Sequence, residues 1–413
     1  MQPQFVLGHD EGEPGAPDHE DMTETLPAPA PATGPAGGRL ALLDVLRGVA
    51  ILGTLMTNVW IFTAPGAEWG FLQSGSTASA HGTAAAVAEA VFRLAADGKF
   101  LSLLTILFGV GLAIQFDAAA RRGVPWPGRY RWRALFLFAE GTLHFVLVFA
   151  WDVLMGYAVT SLLVAWLLTR SERARRRVMW WAAGLHLAFM GLITAALVGA
   201  GQDSGGGVSR EVVDLYAHGG YLDQVAFRLE NALVLRLEPV LSFGLLVFLF
   251  LLGVRLFRAG AFGADGTGRR LRSRMLGWGL GLGVPLTAAT GLAGQDWFLL
   301  ERYCAAPLVA VGYVGLIGAV VDRVRRPGPL TTGLTAVGRT ALSGYVLQNV
   351  LCVVVSYGFG LGLATRLTGP GRPWWVMGLW AAVCAVLMVS ATLWLRRFRH
   401  GPLESVQRRV LGR

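Results

Sequence analysis

Residues 139–159, AEGTLHFVLVFAWDVLMGYAV, decide how this chain is read. The stretch is apolar enough to sit in lipid, yet it carries Glu140, His144 and Asp152. A charge at the centre of a membrane helix costs about 2.5–3.5 kcal/mol even on lenient insertion scales. Such groups persist where neighbouring helices pair them or where they work. The stretch therefore reads as two membrane helices sharing a turn near Trp151–Asp152, and as a candidate site.

The rest of the chain agrees. Its 413 residues are 54% hydrophobic and only 15% charged, and its mean hydropathy is +0.52. Soluble domains carry about 25% charged residues, so this is a membrane-protein composition. Covering a hydrocarbon core of about 30 Å takes about 20 apolar residues. Runs of that kind lie near 41–63, 100–119, 133–150, 152–170, 178–200, 233–255, 275–293, 301–322, 334–356 and 374–395. The expected fold is all-α: a polytopic membrane protein with about ten transmembrane helices.

Three segments follow. Residues 1–39 are acidic, rich in Pro, Ala and Gly, and lack the basic start and apolar core of a signal peptide. They are expected to form a disordered cytoplasmic tail. Residues 40–400 form the transmembrane domain, and 401–413 a basic cytoplasmic tail. Most of the 36 lysines and arginines fall in the tails and in the loops after the second, fourth, sixth and eighth runs. By the positive-inside rule both termini are then cytoplasmic. The net charge of +10 is thus largely an orientation signal, and arginines divided among short loops argue against nucleic acid as a partner. The expected partners are the lipid bilayer and a small-molecule substrate, with a homo-oligomer allowed. Cys304, Cys352 and Cys384 sit in apolar runs without metal-like spacing, so no metal site or disulfide framework is expected. The runs GWGLGLG (277–283) and FGVGLA (108–113) read as small-residue helix packing, since no strand precedes them. Outside the spans, 83–96 and 201–232 read as interfacial helices, the latter with Ser209 as an N-cap and a second helix after the His-Gly-Gly turn.

Inside the spans, polar residues recur on defined faces. Asp44 and Arg47 are neighbours at i, i+3, and Asn58 returns to within about 20° of Arg47 at 100° per residue. Glu140 and His144 share a face at i, i+4, with Asp152 beyond. A carboxylate can orient an imidazole and raise its basicity, which is what a general base or proton relay requires. Arg339 opens the ninth run near the cytoplasmic face, with Gln348-Asn349 deeper, while Arg236 and Glu238 suggest a local pair. From one face to the other, Asp44, Arg47, Arg339, Glu140, His144, Asp152 and Asn58 form a polar track, as substrate and proton pathways do.

The strings LLDVLRGVAILGTLMTNVWIF, FLSLLTILFGVGLAIQF, RWRALFLFAEGTLHFVLVFAWDVLMGYAV, LLGVRLFRAG, GRTALSGYVLQN and HGPLESVQRRV together resemble the domain-of-unknown-function 418 family of bacterial inner-membrane proteins. That family is grouped with transmembrane acyltransferases. The resemblance implies transfer of an acyl group from a cytoplasmic thioester donor, acyl-coenzyme A being the candidate, to an extracytoplasmic or membrane acceptor. No bound cofactor is implied. Within that reading the polar residues described above supply the site: His144, Glu140 and Asp152 as catalytic, with His144 standing in for the family's base, and Asp44, Arg47, Asn58 and Arg339 as binding residues. Acyltransferase-3 enzymes place a histidine eleven residues past the arginine of their first-helix LRG motif, and that position here is Asn58. His81, in the loop after the first run, does not align securely with the histidine of the heparan-type enzymes. The same residues also suit a proton-coupled transporter or exporter, with Glu140 and His144 as relay, and a membrane scaffold or sensor needs no chemistry at all. The topology is directly checkable. Reporters fused at residues 205 and 413 should report opposite sides of the membrane, and equal sidedness refutes the orientation.

Overall fold

The computed structural model describes residues 36–74, 84–200 and 207–412. The expected tail up to residue 35, and His81, lie outside them. Among the described residues every regular element is helical. In chain order these are α1 (Ala36–Thr63), α2 (Ala67–Ser74), α3 (Ala84–Ala96), α4 (Lys99–Arg121), α5 (Tyr130–Leu147), α6 (Leu154–Leu168), α7 (Glu172–Ala200), α8 (Arg210–His218), α9 (Tyr221–Glu230), α10 (Ala232–Leu235), α11 (Leu237–Leu241) and α12 (Phe243–Arg258). Then come α13 (Gly266–Leu292), α14 (Phe298–Leu300), α15 (Ala306–Arg323), α16 (Pro329–Arg339), α17 (Ala341–Ser356), α18 (Leu363–Arg366), α19 (Arg372–Arg397) and α20 (Pro402–Val410). A π-turn, Glu301–Ala305, leads into α15.

Among the described residues six helical stretches are long and apolar enough to cross a membrane, and a seventh is added if the bent pair α16–α17 counts as one span. This is a multi-pass membrane protein. The structure departs from ten uniform spans where polar or rigid residues interrupt the runs. The run 233–255 is broken at Arg236 and Ser242 around Pro239, leaving α12 with 16 residues. Together with α6, of 15 residues, it reaches only about 22–24 Å at 1.5 Å per residue, short of the roughly 30 Å hydrocarbon core.

Packing sorts the helices into centre and rim. Of its most apolar window α1 buries 78%, while α7 buries 17% and α19 22%. The outward face of α7 carries exposed Trp180, Trp181, Leu185 and Leu192, as lipid contact requires. The central contacts are backbone on backbone. A Cβ on Gly338 would lie 1.8 Å from the Asp44 carbonyl oxygen, and one on Gly48 2.0 Å from that of Leu334. Gly109 and Gly253 place α4 against α12 in the same way, each Cβ meeting a carbonyl oxygen at 2.1 Å. Small residues allow this approach, and without a hydrophobic drive between helices in lipid, close packing is what holds them.

The segments read as interfacial do form helices. Ser209 caps α8, its side chain accepting from Val212 N, and α9 follows the glycine turn. They are fastened by an ion pair with no exposure on either side, Arg228 Nε to Glu68 Oε1 at 3.3 Å. Tyr216 donates to Glu68 in a short hydrogen bond. Glu68 also accepts from Ala150 N at 3.2 Å, and Arg228 donates to the Val146 carbonyl at 3.1 Å, so the pair grips the turn between α5 and α6.

The glycine contacts give a contrast to test. Gly338→Val must separate α16 from α1, and overpacking of this kind costs about 1–3 kcal/mol or more. Gly111→Ala meets nothing within 4 Å. In detergent the first variant should lower the melting temperature and folded yield, and the second should match the parent.

Candidate functional site

The site begins where a helix breaks. α16 and α17 meet at 98°. Thr340, at the N-cap of α17, turns its hydroxyl back to the Ala336 carbonyl at 3.0 Å and caps nothing. Glu404 of α20 supplies the cap instead. Its Oε1 accepts from Leu342 N at 2.8 Å and Ser343 N at 3.3 Å, and its Oε2 pairs with the Ser343 hydroxyl at 2.5 Å. A carboxylate there satisfies orphan donors and faces the positive end of the helix dipole. The anchored α20 becomes a wall of a cavity.

That cavity has a volume of about 430 Å³. Arg47, Arg133, Arg339 and Arg408 stand around it with Asp44 and Glu404. Both carboxylates are engaged: Asp44 accepts from Arg47 Nη1 at 3.0 Å, and Glu404 holds α17. Four guanidiniums against two committed carboxylates leave the rim positive. Leu104, Leu107, Phe108, Ile114 and Leu137 give it an apolar lining as well, and Tyr345 borders it too. A positive rim with an apolar lining suits an amphiphile with an anionic head.

Tyr345 also borders a second, smaller cavity, about 20 Å³, with Thr54, Thr57, Asn58, Trp151, Glu238 and Arg302. It has room for about one water-sized occupant. Tyr345 is the single residue that the two cavities share. Its hydroxyl donates to Asp152 Oδ1 at 3.3 Å, and its ring stacks on the His144 imidazole with centroids 5.2 Å apart. Asp152 Oδ2 accepts from Leu154 N at 3.0 Å and Met155 N at 3.3 Å, opening α6. Arg236 Nη1 lies 3.9 Å from Asp152 Oδ2, and the guanidinium covers the Phe145 ring at 3.9 Å. A glycine is needed at 141, since a Cβ there would lie 2.6 Å from Asp152 Oδ2. His144 Nε2 meets Asn349 Nδ2 at 3.0 Å.

The comparisons with known proteins can be set beside this geometry. The profile described as "Protein of unknown function (DUF418)" matches residues 256–413, which carry the broken helix pair and α20. The C-terminal part of the chain is thus similar to the DUF418 family. The chain is also similar over most of its length to three uncharacterised proteins. It is 28% identical to YxaH of Bacillus subtilis (strain 168) across 388 residues, 89% of this chain and 92% of that protein. It is 28% identical to YeiB of Escherichia coli (strain K12), covering 90% and 96%. A 39.9 kDa protein of Bacillus acidopullulyticus, from the amylase 3′ region, is 24% identical over 90% and 93%.

The residues singled out from the sequence divide into groups in the structure. Asp44, Arg47 and Arg339 come together at the large cavity, and Asn58 lines the small one. Glu140 and His144 border neither. The expected Glu140–His144 hydrogen bond does not form: Glu140 Oε2 is buried without a partner, and His144 turns to Asn349 and Tyr345 instead. Arg236 and Glu238 do not pair with each other either. Arg236 turns to Asp152, while Glu238 Oε1 accepts from Arg302 Nη2 at 3.1 Å and from the Tyr303 hydroxyl at 2.7 Å. Tyr345, Arg133 and Glu404 went unread because a tyrosine in an apolar run, a loop arginine and a tail glutamate are ordinary in themselves. Among the described residues no cluster of three metal-ligating side chains occurs.

The Asp152–Arg236 pair makes a stability prediction. Removing one partner of a buried pair leaves the other charge uncompensated, at about 3–5 kcal/mol. Asp152→Asn should destabilise the detergent-solubilised chain more than the double change Asp152→Asn/Arg236→Met, as read from thermal melts. Additive losses in the double variant would show that the two do not act as a pair.

Proposed function

We propose that this chain is a ten-span protein of the bacterial cell (inner) membrane, with both termini cytoplasmic, that transfers an acyl group from a thioester donor to a hydroxyl acceptor across the Tyr345 layer. The observation that carries the reading is the arginine-lined, partly apolar cavity bordered by Tyr345, which also borders a second, smaller polar cavity. Acyl-coenzyme A suits the first: Arg47, Arg133, Arg339 and Arg408 would hold its phosphates, and the apolar lining would take the acyl chain. In the step itself the acceptor hydroxyl oxygen attacks the thioester carbonyl carbon, its proton leaves, the carbon–sulfur bond breaks, and the thiolate departs and is reprotonated. Asp152, bonded to the Tyr345 hydroxyl, is the carboxylate best placed to take that proton through Tyr345 and return it to sulfur. His144, the base expected from the sequence, is better suited as a positioning residue that stacks on Tyr345 and is held by Asn349.

The runner-up, a proton-coupled transporter, draws on the same observation, since two cavities separated by one side chain are also what alternating access needs. One preparation separates the two. Purified protein in nanodiscs is given acyl-coenzyme A, and free thiol is followed. Tyr345→Phe should lower kcat by about 10²–10⁴-fold, while Arg47→Ala/Arg133→Ala should chiefly raise KM. Full kcat in Tyr345→Phe removes the relay. Absence of thioester cleavage, with solute uptake into proteoliposomes driven by a pH gradient, replaces the transferase reading with the transporter.

A further inference from the structure

Arg339 has a second neighbourhood. Besides the large cavity it borders an open groove of about 560 Å³ between α1, the end of α15, α16 and α19. It is the only residue that these two spaces share. The groove is lined by apolar Val45, Val321 and Leu395 and by the guanidiniums of Arg339 and Arg396. No acidic residue borders it. Among the described residues Arg396 makes no ion pair; Arg339 makes a long 3.4 Å hydrogen bond to the Arg399 carbonyl and feels the charge of Asp44 from the large-cavity side. Both side chains are exposed.

These features together describe one kind of occupant. Two guanidiniums lining a groove that no described carboxylate borders call for an anion, and their planar donors match phosphate oxygens. The apolar lining calls for hydrocarbon. The groove also lies at the arginine-rich ends of the apolar helices, where α15 closes with Arg323 and α19 with Arg396 and Arg397. Basic pockets between membrane helices bind lipid head groups at that depth. We propose that the groove is a binding site for an anionic phospholipid, its phosphate held between Arg339 and Arg396 and one acyl chain lying along Val45 and Leu395. A phosphate drawn to Arg339 from the groove competes with any anion in the large cavity, so lipid occupancy and cavity occupancy share one guanidinium.

The test reads lipid retention and does not depend on thioester chemistry, so it stands or falls separately from the transferase reading. The full chain is purified in detergent and equilibrated with equal amounts of phosphatidylglycerol and phosphatidylcholine, and bound lipid is counted by native mass spectrometry. Phosphatidylglycerol should be retained over phosphatidylcholine by about tenfold, in line with two arginines near an anionic head group. Arg339→Gln/Arg396→Gln should erase that preference at an unchanged melting temperature. The control Arg325→Gln/Arg326→Gln removes two exposed arginines that do not border the groove and should keep the preference. Equal retention of the two lipids overturns the proposal, as does an equal loss in the control, which would mean general surface attraction. Displacement of the lipid by excess inorganic phosphate alone would make the groove a free-anion site and overturn it too.

Discussion

A helix that breaks inside a membrane protein must find partners for the amides it exposes, and the arrangement of this molecule follows from how the break at Thr340 is resolved. Because Glu404 caps α17, α20 is held against the bundle. Because α20 is held, the large cavity has a wall on that side and gains Arg408 at its rim. Because the break turns the chain by 98°, Arg339 stands at an elbow that faces a cavity on one side and a groove on the other. The helix launched from the elbow then carries Tyr345, Gln348 and Asn349 into the protein, all of them buried. Gly48 and Gly338 keep the elbow pressed against α1, so it is not a loose hinge.

The turn between α5 and α6 is the matching fixed point. Glu68 and Arg228 grip it from one side through Ala150 N and the Val146 carbonyl. Tyr345 and Arg236 grip it from the other through Asp152. Asp152 is tolerated in the 139–159 stretch for that reason: it has two backbone donors, a tyrosine hydroxyl and a guanidinium within reach. His144 is buried between a stacked ring and an amide. Buried charge is stable when it is paired and hydrogen-bonded, and here the pairing also fixes the layer between the two cavities.

Much of this was legible from residue spacing. The apolar runs mark the long helices because crossing a membrane fixes a minimum length. Ser209 marks the start of α8 because its side chain can satisfy an exposed amide. The i, i+3 placement of Asp44 and Arg47 marks a pair because helix geometry brings them together. What spacing cannot carry is choice among distant partners. Arg236 has Glu238 two positions away, yet it turns to Asp152, 84 positions earlier in the chain. Tyr345 meets an aspartate 193 positions away. Both outcomes depend on which helices lie side by side. The broken helices escape a reading by hydropathy for a related reason: Thr340 and Pro239 barely lower the apolarity of their runs, and only backbone geometry shows that the helix stops.

The cap on α17 also has a direction in time. Chains are made and folded from the N-terminal end, and Glu404 follows the amide of Leu342 by 62 positions. While those residues are still being synthesised, α17 enters the membrane without the carboxylate that will complete its first turn, and water or lipid head groups must serve in its place. The rim of the large cavity is therefore finished late, after every long helix is in place. A chain that stops short of residue 404 keeps the sequence of every long helix and lacks the carboxylate that caps α17.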